Sequence, residues 1–172
     1  MALTFNWCQQ NCSGHSFASI WCHRVDDRGN RVPGAQSKCY LADPLLAWVG
    51  PRLRSGLNRP NFTQLSEAAI GVKLARSIDL QEPGRWMADD SICYIRTGSG
   101  DEVDFAPIPL QSLANSTMTV PIESKWVSKG WRADAKTVEG KFSRGIVATQ
   151  NIVDLSHPVW AIPAPILAIL IK

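Results

Sequence analysis

Gly98-Ser99-Gly100-Asp101-Glu102-Val103-Asp104-Phe105 and, further on, Val120-Pro121-Ile122-Glu123-Ser124-Lys125-Trp126 are the stretches that decide the reading of this chain. In a strand, alternate side chains share a face, so Glu102 and Asp104 are expected to project together while Val103 and Phe105 point into the core. Glu123 and Lys125 likewise share one face and Ile122 takes the other. If the two strands are neighbours, Asp104, Glu123 and Lys125 converge. Carboxylates gathered without compensation raise one another's pKa, and a divalent cation removes that conflict. Magnesium wants about six oxygen ligands and keeps several waters, so one or two carboxylates plus a substrate phosphate suffice. Such an ion lowers the pKa of a bound water and neutralises charge on a phosphoryl oxygen. A nearby lysine orients that water or stabilises the developing charge. This is chemistry for hydrolysing a phosphodiester. The competing reading is a solvated sheet face whose cross-strand ion pairs are worth roughly a few tenths of a kcal/mol each.

Outward from these stretches, the pattern predicts strands over Ile92 to Arg96 and Glu102 to Ala106, joined by the turn at 97–101, then a polar loop and a third strand from Thr119 to Trp126. A helix is expected over about Phe62 to Ile78, with Asn61 as its N-cap. Phe62, Leu65, Ala69 and Val72 form one apolar stripe and Ile70, Leu74 and Ile78 a second, which predicts a largely buried helix. Glu67 lies near the edge of that stripe, where an exposed helix position is the commoner fate. A second helix fits Trp131 to Lys141, and strands fit Gly145 to Thr149 and Val159 to Ile162, the latter followed by a terminal helix. Towards the N-terminus, Ile20 to Tyr40 reads as a hairpin turning at Asp27-Arg28-Gly29-Asn30. Asp43 and Pro44 open a short helix that Gly50 is expected to end.

Composition narrows the function classes. The 172 residues include 19% charged residues, with a net charge of +3, against about 25% charged in an average soluble domain. Disordered, collagen-like and coiled-coil chains are excluded, and bulk charge alone does not indicate nucleic-acid binding. Charge is nonetheless uneven: +4 over 1–60, −4 over 61–120 and +3 over 121–172. The stretch before Arg24 lacks the features of a secretory signal. The five cysteines are odd in number and irregularly spaced, so a disulfide framework is not expected and the cytoplasm is the default compartment. Cys8, Cys12, His15, Cys22 and His23 lack the paired spacing of a zinc site. The apolar run at 158–171 is too short, and too rich in proline, to span a bilayer, so no membrane partner is expected.

The order helix, three strands, helix, strand, with an acidic residue on the second strand and Glu-x-Lys on the third, resembles the PD-(D/E)XK nuclease superfamily. More closely, Tyr40-Leu41-Ala42-Asp43-Pro44-Leu45-Leu46-Ala47, the helix around Phe62 to Gly71, the Gly98–Phe105 stretch and Val120–Trp126 resemble the C-terminal domain of a family of bacterial AAA+ ATPases. The resemblance covers about Ser37 to Thr149. It implies an α/β, restriction-endonuclease-like core over 37–172 with an N-terminal appendage over 1–36, the hairpin corresponding to the wing of a winged-helix remnant. It also implies Asp104 and Glu123 as metal-binding carboxylates for Mg2+ or Mn2+, with Lys125 as the catalytic lysine. Glu67 matches an acidic position that assists the metal, and Glu102 one without a fixed role. The usual Pro-Asp pair of the superfamily is Val103-Asp104 here.

Two functions follow as expectations. The first is metal-dependent phosphodiester hydrolysis on DNA. The second is a non-catalytic DNA- or partner-binding module, accessory to or a remnant of an ATPase. No G-x-x-x-x-G-K-[ST] loop is present in the sequence, so ATP hydrolysis is not expected of this polypeptide and an ATPase module would act in trans. A basic row, Lys129, Arg132, Lys136, Lys141 and Arg144, interleaved with Trp126 and Trp131, is the candidate nucleic-acid surface, with a solvated helix face as the competing reading.

Overall fold

The computed structural model describes residues 19–54, 56, 58–84, 91–98, 100–111 and 117–171. They form a mixed α/β fold. In chain order the elements are β1 (Ser19–Val25), β2 (Lys38–Leu41), a 3-10 turn (Pro44–Trp48), α1 (Val49–Leu53), α2 (Phe62–Gln81), β3 (Ile92–Arg96), β4 (Glu102–Val103), β5 (Phe105–Gln111), β6 (Thr117–Ser124), α3 (Trp131–Phe142), β7 (Gly145–Thr149), β8 (Val159–Pro163) and α4 (Ala164–Leu170). No helix among the described residues is long and apolar enough to cross a membrane.

The strands make two four-stranded mixed sheets, ordered β2-β1-β3-β4 and β5-β6-β7-β8. The chain passes from one sheet to the other at Asp104, the single residue between β4 and β5. Before it, Val103 pairs with Ile95 of β3; after it, Phe105 pairs with Ile122 of β6. Glu102 and Asp104 project together as expected, both reaching the Lys38 ammonium, but the partner change separates the two apolar neighbours. Val103 and Phe105 are both buried, but Val103 packs with Trp131 and Val138 of α3, whereas Phe105 packs with Ile70 and Leu74 of α2. A second irregularity follows between Phe105 and Ile108, where the register slips; Pro107 lies there and has no N–H to give to a ladder. The expected polar loop is shorter than its sequence suggested, because β5 continues to Gln111.

α2 and α4 cover one side and α3 the other. The α2 side buries Ile20, Tyr40, Ile70, Leu74, Ile92, Phe105, Ile122 and Leu167; the α3 side buries Val103, Trp131, Ala135, Val138, Val147 and Val159. Each large apolar side chain removed from water in this way contributes about 1.5–3 kcal/mol. The stripes proposed for α2 need revision. Phe62 is exposed and Leu65 and Ala69 are only half-buried, while Ser66, Gly71 and Ser77 are buried. Gly71 is needed because a Cβ there would sit 3.1–3.3 Å from the rings of Tyr40 and Phe105.

Local signals set the element ends. The Asp26 Oδ1 accepts the N–H groups of Arg28 and Asn30, both at 2.8 Å, closing the β1–β2 hairpin over Gly29 at φ 81°. Asp43 accepts the N–H of Leu45 and Asn61 that of Thr63, both at 2.9 Å. Gly50 does not end the helix that Asp43 caps: the 3-10 turn passes into α1, which runs on to Leu53. The expected boundary at residue 36 falls inside the hairpin. β1 pairs antiparallel with β2 and parallel with β3, so residues 19–25 share a sheet with β2, β3 and β4. Residues 1–18, with Cys8, Cys12 and His15, lie outside the described residues.

Candidate functional site

The site is built around the strand switch at Asp104. The N–H of Asp104 donates to Glu123 Oε2 at 3.2 Å, and Asp104 Oδ2 accepts the N–H of Ser124 at 2.9 Å. β6 continues one residue beyond its end, since the N–H of Lys125 donates to the Ala148 carbonyl of β7 at 2.8 Å. That fixes the backbone of Lys125, and its Nζ lies 2.7 Å from Glu123 Oε1. The expected convergence of Asp104, Glu123 and Lys125 is therefore present. The side chains of Asp104 and Glu123 are 8% and 4% exposed, against 37% for Lys125. The ammonium is the part of this trio that solvent reaches.

Sequence reasoning missed Lys38. It is the first residue of β2, paired with Cys22 of β1. Its Nζ lies 2.7 Å from Asp104 Oδ1, 2.7 Å from Glu102 Oε1 and 2.8 Å from Glu67 Oε1, and 5.1 Å from the centre of the Tyr94 ring. One ammonium thus gathers carboxylates from α2, β4 and the β4–β5 switch. The signal was present in Lys38-Cys39-Tyr40-Leu41. Tyr40 is a core residue, so alternation turns Lys38 inward too, and an inward lysine must be paired. Glu67 is correspondingly not the exposed helix residue expected. It is largely buried, and its Oε1 also accepts the Tyr40 hydroxyl at 2.6 Å. Glu102 meets Arg96 as well, at 3.5 Å.

Electrostatics follow from this packing. Burial and then the neighbouring Asp104 charge push the Glu123 carboxyl up to about 7, against the pull of Lys125. The same two causes raise Glu67, opposed by Lys38. Burial would lower both lysines, but their carboxylate partners outweigh it and raise them: Asp104, Glu67 and Glu102 for Lys38, Glu123 for Lys125. Both remain ammonium groups at neutral pH. Burial lifts the Tyr40 hydroxyl and the Cys22 thiol well above their ordinary ranges, so neither ionises here.

The oxygen donors that a hard cation could use are those of Asp104 and Glu123, each of which already has a partner: Lys38 and the Ser124 N–H for Asp104, Lys125 and the Asp104 N–H for Glu123. Asp104 and Glu123 are oxygen donors held side by side. Burial first, and then the Asp104 charge, raises the Glu123 carboxyl, and one or two carboxylates are what magnesium usually takes from a protein. The Glu67–Glu102–Asp104 side differs, because Lys38 stands between those groups. Among the described residues, no group of three or more His, Cys, Asp or Glu side chains is disposed to hold a metal ion.

The basic row divides. Lys129, Lys136 and Arg144 are exposed. Arg132 lies over the buried Trp131 ring at 4.8 Å, and Lys141 pairs with Asp27. Trp131 is a core residue, whereas Trp126 is half-buried and stacks on the exposed Phe62 with ring centres 5.9 Å apart. Trp48 meets the same Phe62 ring at 6.2 Å. An open cavity of about 310 Å3, lined by Val120, Arg144, Ile146, Pro158 and Trp160 among others, includes none of the clustered carboxylates. No protein family matches the chain, and no curated protein or solved structure is similar enough to match.

Proposed function

We propose that this chain is a restriction-endonuclease-like domain of the PD-(D/E)XK kind that hydrolyses phosphodiester bonds of DNA with Mg2+ or Mn2+. The observation that carries the reading is the meeting of Asp104 with Glu123, and of Glu123 with Lys125, at a break between two strands. Asp104 and Glu123 would hold the ion, which supplies a polarised phosphoryl oxygen and a bound water of lowered pKa. Lys125 remains an ammonium with three donors and no acceptor. Its role is to stabilise charge developing on the phosphate oxygens, not to take a proton from water. Ser124 and the backbone of Asp104 keep the two carboxylates in register. Lys129, Lys136 and Arg144 would contact phosphates outside the site.

The test is cleavage of plasmid and linear DNA in manganese by the wild type, Asp104→Asn and Lys125→Ala, each shown to be folded by its melting transition. The wild type is expected to cleave, EDTA to stop it, and each variant to lose on the order of 100-fold. Equal activity in all three proteins, or none in the wild type, overturns the proposal.

A second reading, a non-catalytic module that binds DNA or an ATPase supplied in trans, is favoured by one observation. Lys38 already compensates Glu67, Glu102 and Asp104 without any added ion. Salt-sensitive DNA binding with no cleavage by a folded wild type would select it. An exposed apolar run, Leu45, Leu46, Val49 and Leu53, is surface that a protein partner would cover.

A further inference from the structure

We infer that Lys38 is a built-in cation. Its ammonium holds the place from which a second divalent ion would bridge Glu67, Glu102 and Asp104, so the site has room for an added ion only on the Glu123 side of Asp104.

The Lys38 Nζ is 2.7–2.8 Å from one oxygen of each of three carboxylates. Two of these, to Glu67 and Asp104, are charge-assisted hydrogen bonds, and the third, to Glu102, is a close ion pair. The carboxylates arrive on separate elements: α2, β4 and the β4–β5 switch. Without a positive charge between them they would repel in a partly buried setting, where such repulsion is poorly screened. Glu67 is turned further towards this centre by the Tyr40 hydroxyl at 2.6 Å, and the Tyr94 ring lies beside the ammonium. Three carboxylate oxygens converging on one positive centre are more than the one or two that magnesium usually takes from a protein, so a divalent ion could take the position that the nitrogen holds. An ion placed against Asp104 Oδ1 would meet the lysine charge directly. Asp104 Oδ2 is the carboxylate oxygen left to the Glu123 side, where it accepts the Ser124 N–H. Lys38 is thus a positioning residue, acting through Asp104. The count of added ions rests on the metal reading proposed above, but the occupancy of the three-carboxylate centre by Lys38 does not.

The test counts bound Mn2+ by the electron paramagnetic resonance signal of the free ion, at constant ionic strength, in the wild type, Lys38→Ala and Lys38→Ala/Glu67→Gln. Lys38→Ala is expected to bind one Mn2+ more than the wild type, whether the wild type binds one or none. Adding Glu67→Gln should remove that extra ion. A wild type that binds none defeats the metal reading and leaves this inference standing; equal counts in the wild type and Lys38→Ala overturn the inference alone. Melting provides the second arm. Lys38→Ala should melt lower than the wild type in EDTA and recover with millimolar Mn2+, but not with KCl of equal ionic strength. A Lys38→Ala protein that stays unfolded in Mn2+, or recovers equally in KCl, overturns the inference too.

Discussion

Asp104 gives its backbone N–H to a Glu123 carboxylate oxygen at 3.2 Å, and with its own carboxylate takes the N–H of Ser124 at 2.9 Å. Phe105 faces Ile122 in the β5–β6 ladder, so Asp104 and Glu123 are the next pair along, at the point where the ladder stops. Side-chain oxygens there do what carbonyls would have done in an unbroken strand. The substitution is needed because β4 follows β3 while β5 follows β6, and one residue must bend between them. Both carboxylates are tied into the fold as well as into any chemistry.

Removing the Asp104 carboxylate should therefore unfold more than it disarms. Asp104→Ala leaves the buried Ser124 N–H without its acceptor and Lys38 short of one partner. The first omission costs about 1–3 kcal/mol and the loss of one member of a buried ion pair about 3–5. We expect a net loss on the order of 3 kcal/mol by urea denaturation, because Glu67 and Glu102 still hold Lys38. Asp104→Asn should lose less, because its amide oxygen can still accept from Ser124. A loss below about 1 kcal/mol in Asp104→Ala would show that the clasp does not hold the sheets together.

Stability should fall as pH rises through neutrality, and Glu123 should be responsible. Its carboxyl ionises near the ordinary value of 4.5 when unfolded and at about 7 when folded. The native state therefore binds the proton more tightly than the unfolded chain. The stabilisation is complete below about 4.5 and is lost progressively up to and beyond 7. The wild type minus Glu123→Gln difference in unfolding free energy should shrink by on the order of 3 kcal/mol between about pH 4.5 and 8. A difference that stays flat, or grows with pH, contradicts the assignment.

Most elements were legible because their signals are local. Asn61 and Asp43 announce their caps, β3 and β7 have the bounds that their apolar runs predict, and α3 differs from expectation by one residue. The meeting of Glu123 and Lys125 was legible for the same reason, being two positions apart on one strand. The inward turn of Glu67 was not, because it depends on Lys38, 29 positions earlier in the sequence. Nor was the split of the second strand. The residues around Asp104 alternate like an ordinary strand, and only the change of neighbour from β3 to β6, a long-range fact, breaks them. Periodicity reports which faces are apolar, and it is silent on where a chain exchanges one partner for another.

If the chain binds DNA, the basic row should divide in solution as it does on the surface. Lys129 and Lys136 are exposed, whereas Lys141 is held by Asp27. On duplex DNA, every phosphate that a protein ceases to neutralise makes the dependence of log affinity on log salt shallower by about 0.9. Lys129→Ala and Lys136→Ala are expected to reduce that slope by about this amount, and Lys141→Ala by clearly less. Fluorescence anisotropy of a labelled duplex at several salt concentrations measures it. Equal reductions for all three would mean that Lys141 leaves Asp27 when DNA arrives.

Gly145 and Gly140 make the last test, since the same substitution should act in opposite directions. Gly140 is an exposed residue of α3 with open space where a Cβ would go. Alanine there removes the entropic cost of glycine in a helix, and Gly140→Ala should stabilise by about 0.5–1 kcal/mol. Gly145 begins β7 where α3 presses on the sheet. A Cβ there would collide with Val138 Cγ1 and lie 3.0 Å from Pro121 Cγ and 3.1 Å from the Pro121 carbonyl. Val138 is fully buried and Pro121 belongs to the ladder, so neither neighbour can yield cheaply, and Gly145→Ala should cost about 1–3 kcal/mol. Relief of that clash by sliding β7 would also carry Ala148 with it, the residue whose carbonyl anchors Lys125 at 2.8 Å. Gly145→Ala is thus expected to loosen Lys125 from Glu123 even in molecules that remain folded, seen as an upward movement of the Glu123 titration midpoint as the lysine's pull is lost. An unshifted midpoint in a destabilised Gly145→Ala protein would show that β7 stays in place and α3 moves instead.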